Sequence, residues 1–136
     1  MRAAVFDTGP IVGALDASDN RHAECAAFLT SFTGTRYLPT TVLTEVCWML
    51  EDWPDVEADF LDSVARGTFT LVPLEKTDLE RMSQLVRRYG DFPLGTTDAS
   101  VVAIAERLGV SDVATIDHRH FHAVRPRHIE AFTLLL

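Results

Sequence analysis

Positive charge is in short supply in this sequence: 12 Lys and Arg side chains stand against 20 Asp and Glu over 136 residues, a formal charge of −8, and Lys76 is the only lysine. Such a balance argues against the strongly basic profile of most nucleic-acid-binding domains and against attraction to anionic membranes. Cysteine is nearly absent. Cys25 and Cys47 lie inside apolar helical patterns and form no C-x-x-C pair, which favours two buried free thiols in a reducing compartment over a disulfide or a metal site. Long apolar runs are missing too. The run from Ala3 to Phe6 is stopped by Asp7, so it makes no export signal, and no stretch reaches transmembrane length. There is no internal repeat, low-complexity tract or linker. The expectation is one cytoplasmic domain spanning 1–136, and with 47% apolar residues the chain can bury roughly two-thirds of its unfolded surface without staples.

What is present is alternation. Residues 2–6 (RAAVF) form a short uninterrupted apolar run, as in a strand covered on both faces, and TGP leads at once into a helix to about Asp16, with Thr8 able to cap it. A second helix is expected over 21–32, a strand at RYLP, and a helix VLTEVCWML capped by Thr40 or Thr41. That last helix is apolar nearly all round and is expected to be mostly buried. Pro54 opens a helix to about Arg66, FTLVPL supplies a third strand, and Thr77 caps a helix to Tyr89. TTDASVVAIAERLG is a helix stopped by Gly109, DVATID a fourth strand, and FTLLL an edge strand after a polar, histidine-rich loop. Strands alternating with helices predict an α/β fold: a three-layer α/β/α sandwich around a mostly parallel sheet of four to five strands.

Two acids end apolar strands, Asp7 in AAVFD and Asp117 in VATID, where open α/β sheets bind their ligands. Asp7 could instead merely cap the next helix, an alternative that weakens with two such acids on different strands. Glu45 lies in a helix with Thr41, Val42, Trp48 and Met49 at three and four residues' spacing, where an unpaired charge is costly unless it sits on a thin exposed edge. Asp98 stands in the first turn of its helix, where an acid also complements the helix dipole. The fold can bring all four to one point. Four carboxylates in a dehydrated crevice need cations, and an all-oxygen donor set matches Mg²⁺ or Mn²⁺ rather than Zn²⁺, which suits in-line phosphodiester hydrolysis.

Taken together, AAVFDTGPIVGALD, PTTVLTEV, YGDFPLGTTDASVVAIAERLG and VATIDHRHF resemble the PIN domain, specifically the VapC toxins of bacterial VapBC toxin-antitoxin systems, in order along nearly the whole chain. The resemblance implies a Mg²⁺-dependent (or Mn²⁺-dependent) endoribonuclease with Asp7, Glu45, Asp98 and Asp117 as catalytic and metal-binding acids. Thr8 and Thr97 resemble hydroxyls that orient those carboxylates or a water. It further implies an RNA substrate, a cognate VapB-like antitoxin and a toxin homodimer. The alternative is a non-catalytic PIN-fold RNA- or protein-binding module, against which the presence of all four acids speaks. A receiver-type domain would want paired acids after the first strand and a late lysine, and a haloacid-dehalogenase-like phosphatase a second Asp where Gly9 stands.

Two segments remain. HRHFHAVRPRH after Asp117 carries four histidines and Arg119, Arg125 and Arg127 without an acid. As a loop it offers no i,i+4 histidine pair for a transition metal; it fits an RNA-backbone clamp beside the acids, or a solvated loop whose arginines pair with surface carboxylates. Residues 51–62 hold six acids and no base, so the rest of the chain sums to only −2. The run is either a solvated helix face or, with Trp48, Trp53 and Phe60 nearby, a partner surface; aromatics so spaced are more often core.

Overall fold

A computed structural model describes residues 2–136. Five strands, β1 (Ala3–Phe6), β2 (Thr35–Pro39), β3 (Thr70–Val72), β4 (Asp112–Ala114) and β5 (Thr133–Leu135), make one sheet in the order β3-β2-β1-β4-β5 with every pairing parallel. Seven helices flank it, giving the expected three-layer α/β/α arrangement: α1 (Thr8–Leu15), α2 (His22–Ser31), α3 (Thr40–Met49), α4 (Pro54–Ala65), α5 (Lys76–Arg88), α6 (Thr96–Leu108) and α7 (His118–Ala123). The chain builds outward from β1 through β2 to β3, then crosses back to β4 on the other side of β1. That reversal opens a crevice beyond the carboxyl ends of β1 and β4.

The core explains why β1 is central. Ala4, Val5 and Phe6 are fully buried, and the Phe6 ring meets Phe28, Phe32 and Phe69 at centroid distances of 6.0, 5.4 and 5.8 Å. α6 is the most deeply set helix, with Ala99 through Ala105 all buried. Its alanines and valines allow close approach to α3, α5 and the strands β1 and β2. Gly109 ends it in a left-handed turn (φ +68°), as the sequence predicts.

Several local expectations are corrected. α3 buries only Val42 and Val46 among its own residues; Trp48 and Met49, and Trp53 just beyond, are exposed, because α1, α6 and β2 cover only one side of that helix. Phe60 alone of the three nearby aromatics is core, and Cys47 is only partly buried, whereas Cys25 is fully so. The acidic run 51–62 is mainly solvated, with Glu57 partly covered. Helix caps shift by a residue or two: Asp7, Pro39 and Glu75 occupy the N-cap positions expected of Thr8, Thr40 or Thr41, and Thr77. The histidine-rich loop opens as helix α7, started by Asp117, whose Oδ1 accepts the His120 backbone N–H at 3.3 Å. Among the described residues no helix is long and apolar enough to cross a membrane.

Candidate metal centre

The four acids singled out in the sequence line one crevice of about 580 Å³, together with Thr8, Gly9, Met49, Gly95, Thr96, Thr97 and Ile116. Asp7 leaves the end of β1 and is 7% exposed. Its neighbour across the sheet is fixed by the backbone, since the Asp7 N–H donates to the Ala114 carbonyl of β4 at 2.9 Å. Asp117 does not end β4 itself but stands three residues beyond it, at the mouth of α7. Thr115 ties the two together: its hydroxyl donates to Asp7 Oδ2 at 2.8 Å and accepts the Asp117 backbone N–H at 2.9 Å. Sequence reasoning misses Thr115, whose one signal is a hydroxyl within the short apolar run VATI, two residues before Asp117. Asp112, at the other end of β4, faces Arg2 at 3.8 Å and takes no part.

Glu45 and Asp98 are brought in by two helices clasped at their first turns. Thr41 Oγ1 and Ser100 Oγ lie 2.5 Å apart, and the Ser100 hydroxyl also bonds the Thr97 carbonyl at 2.6 Å. Across this clasp the Thr97 hydroxyl donates to Glu45 Oε2 at 3.1 Å, orienting the carboxylate. Thr8 lies on the same crevice, and its buried hydroxyl has no hydrogen-bond partner. A Cβ on Gly9 would stand 2.5 Å from Ile116 Cγ1, so the start of α1 can approach the turn after β4 only without a side chain there.

Electrostatics sets this crevice apart. Among the described residues no Lys or Arg forms an ion pair with Asp7, Glu45, Asp98 or Asp117. Burial raises the Asp7 carboxyl above the ordinary range, against the lowering effect of hydrogen bonds from the Thr8 backbone and Thr115 hydroxyl; Glu45 and Asp117 push the same way as burial. Asp98 is pushed up to about 7, first by burial and then by Asp7, with His120 opposing and Asp117 and Glu45 adding to the rise. Among the described residues the basic group in contact is His120, whose Nδ1 hydrogen-bonds Asp117 Oδ2 and lies 3.4 Å from Asp98 Oδ2. Asp98, Asp117 and His120 each offer a donor atom within 4.8 Å of the others. Carboxylate donors without a balancing cation, and a buried hydroxyl without a partner, fit a hard divalent ion.

The arginines of the 118–128 segment divide. The Arg119 guanidinium stacks 5.3 Å over Phe92, which packs edge-on against His120 at 5.0 Å, so it stands beside the crevice. Arg125 is one aromatic further out, its backbone N–H on the Tyr89 hydroxyl at 3.0 Å. Arg127 is elsewhere: its N–H donates to Glu106 and its guanidinium to Gln84 at 2.6 Å, on the α5–α6 face. The expectation that all three flank the acids is corrected for Arg127.

Comparison with known proteins gives a consistent set. The chain is 26% identical over 133 residues to ribonuclease VapC26 of Mycobacterium tuberculosis, covering 96% of this chain and 98% of that protein. Its fold matches M. tuberculosis VapC20, a sarcin-ricin-loop-cleaving toxin, with a TM-score of 0.79 at 15% identity over 95% of this chain and 99% of that one. It also matches a toxin-antitoxin complex from Klebsiella pneumoniae, with a TM-score of 0.71 at 19% identity over 93% and 99%. The PIN domain family model matches residues 4–125, which include all four acids of the crevice, and the chain belongs to the PIN domain family.

Proposed function

We propose that this protein is a metal-dependent endoribonuclease toxin of a VapBC-type pair, a single PIN-like nuclease domain that hydrolyses RNA phosphodiester bonds with Mg²⁺, or Mn²⁺, as its ion. The observation that carries this reading is the convergence of Asp7, Glu45, Asp98 and Asp117 on one crevice with no Lys or Arg to neutralise them. A divalent cation, when bound, supplies the positive charge that polarises a phosphate and lowers the pKa of a water. The chain's own part is to hold that charge in place. Asp7, nearly enclosed and fixed by Thr115, is the least movable of the ligands; Asp98 and Asp117 hold the open side, and Glu45 is aimed by Thr97. Arg119, and further out Arg125, meet the RNA backbone, while the wider surface contributes little attraction because most of the −8 charge resides in residues 51–62.

Ribonuclease VapC26 supports RNA as substrate, and the toxin-antitoxin complexes among the structural relatives support a cognate VapB-like antitoxin. Homodimerisation and a cytoplasmic setting complete the reading. The test compares RNA cleavage by the purified protein with that of Asp7→Asn and Asp98→Asn, with Mg²⁺ present and then chelated. Cleavage confined to the unmodified protein with metal supports the assignment; equal cleavage by all three, or cleavage indifferent to chelation, sinks it.

A further inference from the structure

We propose that His120 is itself a ligand of the metal centre, through Nδ1, and that it biases the centre towards Mn²⁺ over Mg²⁺. The inference rests on the reading above that the crevice holds a divalent cation. It starts from a juxtaposition: Nδ1 touches Asp117 Oδ2 and lies 3.4 Å from Asp98 Oδ2, a carboxylate on another helix. Ligand atoms ~2.1 Å from one ion lie at most ~4.2 Å from each other. The donor atoms of Asp98, Asp117 and His120, all within 4.8 Å of one another, are already close to that spacing.

The simpler role for His120 is to close the first turn of α7 on Asp117, three residues earlier. That role is already filled by the His120 backbone N–H, which donates to Asp117 Oδ1 at 3.3 Å. It does not explain why the ring reaches Asp98 on α6, nor why the ring is held. Phe92 packs edge-on against it at 5.0 Å and an interplanar angle of 79°, and Arg119 lies over Phe92 in turn, so the imidazole edge is kept turned into the crevice. The other two histidines of α7, His118 and His122, are exposed, one helical turn apart, with ring centroids 5.9 Å from each other. Without an ion, Nδ1 and Asp117 Oδ2 share a proton; a cation bound here would take that proton's place, the proton leaving to solvent, and would use the Nδ1 lone pair with the remaining ring proton on Nε2.

A nitrogen ligand changes selectivity. Mg²⁺ favours an all-oxygen octahedron and keeps its waters, whereas Mn²⁺ stands higher in nitrogen affinity and adapts its geometry. His120 therefore strengthens Mn²⁺ binding while doing little for Mg²⁺. Calorimetric titration of the full chain with Mn²⁺ and with Mg²⁺ is expected to show a Mn²⁺ preference that His120→Gln reduces about ten-fold or more, with Mg²⁺ affinity little changed and His122→Gln without effect. Pulsed electron paramagnetic resonance on the Mn²⁺-loaded wild type reads the bond directly and needs no variant: a directly coordinated ¹⁴N is expected, lost in His120→Gln and kept in His122→Gln. Mn²⁺ bound in the crevice without ¹⁴N coupling, or an unchanged Mn²⁺ to Mg²⁺ ratio in His120→Gln, overturns the assignment of His120 and leaves the ribonuclease reading standing. If the wild type binds neither ion, both fall.

Discussion

The molecule buries acids in two places and treats them in opposite ways. Along the α5–α6 seam, Asp78 is 2% exposed, as enclosed as Asp7, yet Arg107 Nε bonds both of its oxygens at 3.0 and 3.1 Å. Beside it Arg81 grips Glu106 with two bonds of 2.8 and 2.9 Å, and Arg127 closes the edge of a cavity of about 380 Å³. Asp78 also accepts the Glu75 backbone N–H at 2.9 Å, finishing the first turn of α5. Every acid here has its guanidinium. In the crevice four acids have none, and burial first, then the neighbouring Asp7, drives Asp98 up to about 7 with only His120 opposing. Burial is common to both regions. Counter-charge separates them: the seam is a finished structural joint, while the crevice is completed only by a ligand from outside.

The contrast can be broken by mutation, most severely at the crevice. Asp7→Asn is expected to lower RNA cleavage by about a thousand-fold or more while leaving the urea midpoint no lower than in the wild type. At the seam the effects should reverse. Arg107→Met leaves Asp78 buried and unpaired; because Arg107 is itself a quarter exposed, the expected loss is ~3 kcal/mol of unfolding free energy, below the upper range for such pairs. Mn²⁺ affinity of the folded variant should be unchanged, and a matching loss of metal binding would erase the distinction between the regions.

A third, smaller effect is pH-dependent. Asp98 has a folded pKa raised from 3.8 to about 7, so the folded metal-free protein holds that proton more tightly than the unfolded chain. The stability this lends is complete below about 3.8 and is lost as pH rises towards 7. Asp98→Asn should therefore melt several degrees above the wild type at pH 8 without metal, and the gap should close near pH 4. Saturating Mn²⁺ should reverse the order, because only the wild type gains the full binding energy. Smallest is the difference between arginines: Arg119→Ala should raise the RNA KM several-fold, and Arg127→Ala should change it by less than about two-fold.

Much of this was legible in the sequence because it was written in local runs. AAVFD and TTDASVVAIAERLG each carry an apolar segment, an acid and a boundary signal within a dozen or so residues, and they delivered the central strand, the buried helix and the placement of Asp7 and Asp98. Where the determinant is a distant partner, no local run carries it. Arg127 is committed to Gln84, 43 residues earlier, and no local pattern announces that pairing. Thr115 acts on Asp7 across 108 residues. The exposure of Trp48 depends on which side of α3 the neighbouring elements cover, and an all-round apolar helix gives no phase from which to infer it. α7 carries no apolar periodicity from which to infer a helix: its six residues bury Phe121 alone.

The strand order has a consequence in time. Because β4 reaches the side of β1 only after β2, β3 and six helices have been made, the bond from Thr115 to Asp7 joins the earliest part of the chain to one of the last. On a ribosome, Asp7 emerges long before the segment that aligns it, and the loop that must close between them is nearly the whole chain. A partly synthesised chain that has reached α6 can bring Glu45 and Asp98 together across the α3–α6 clasp, but it leaves Asp7 unaligned and lacks Asp117. The four-acid crevice is complete only once the last crossover docks, and a chain that stops before residue 115 lacks both Asp117 and the hydroxyl that fixes Asp7.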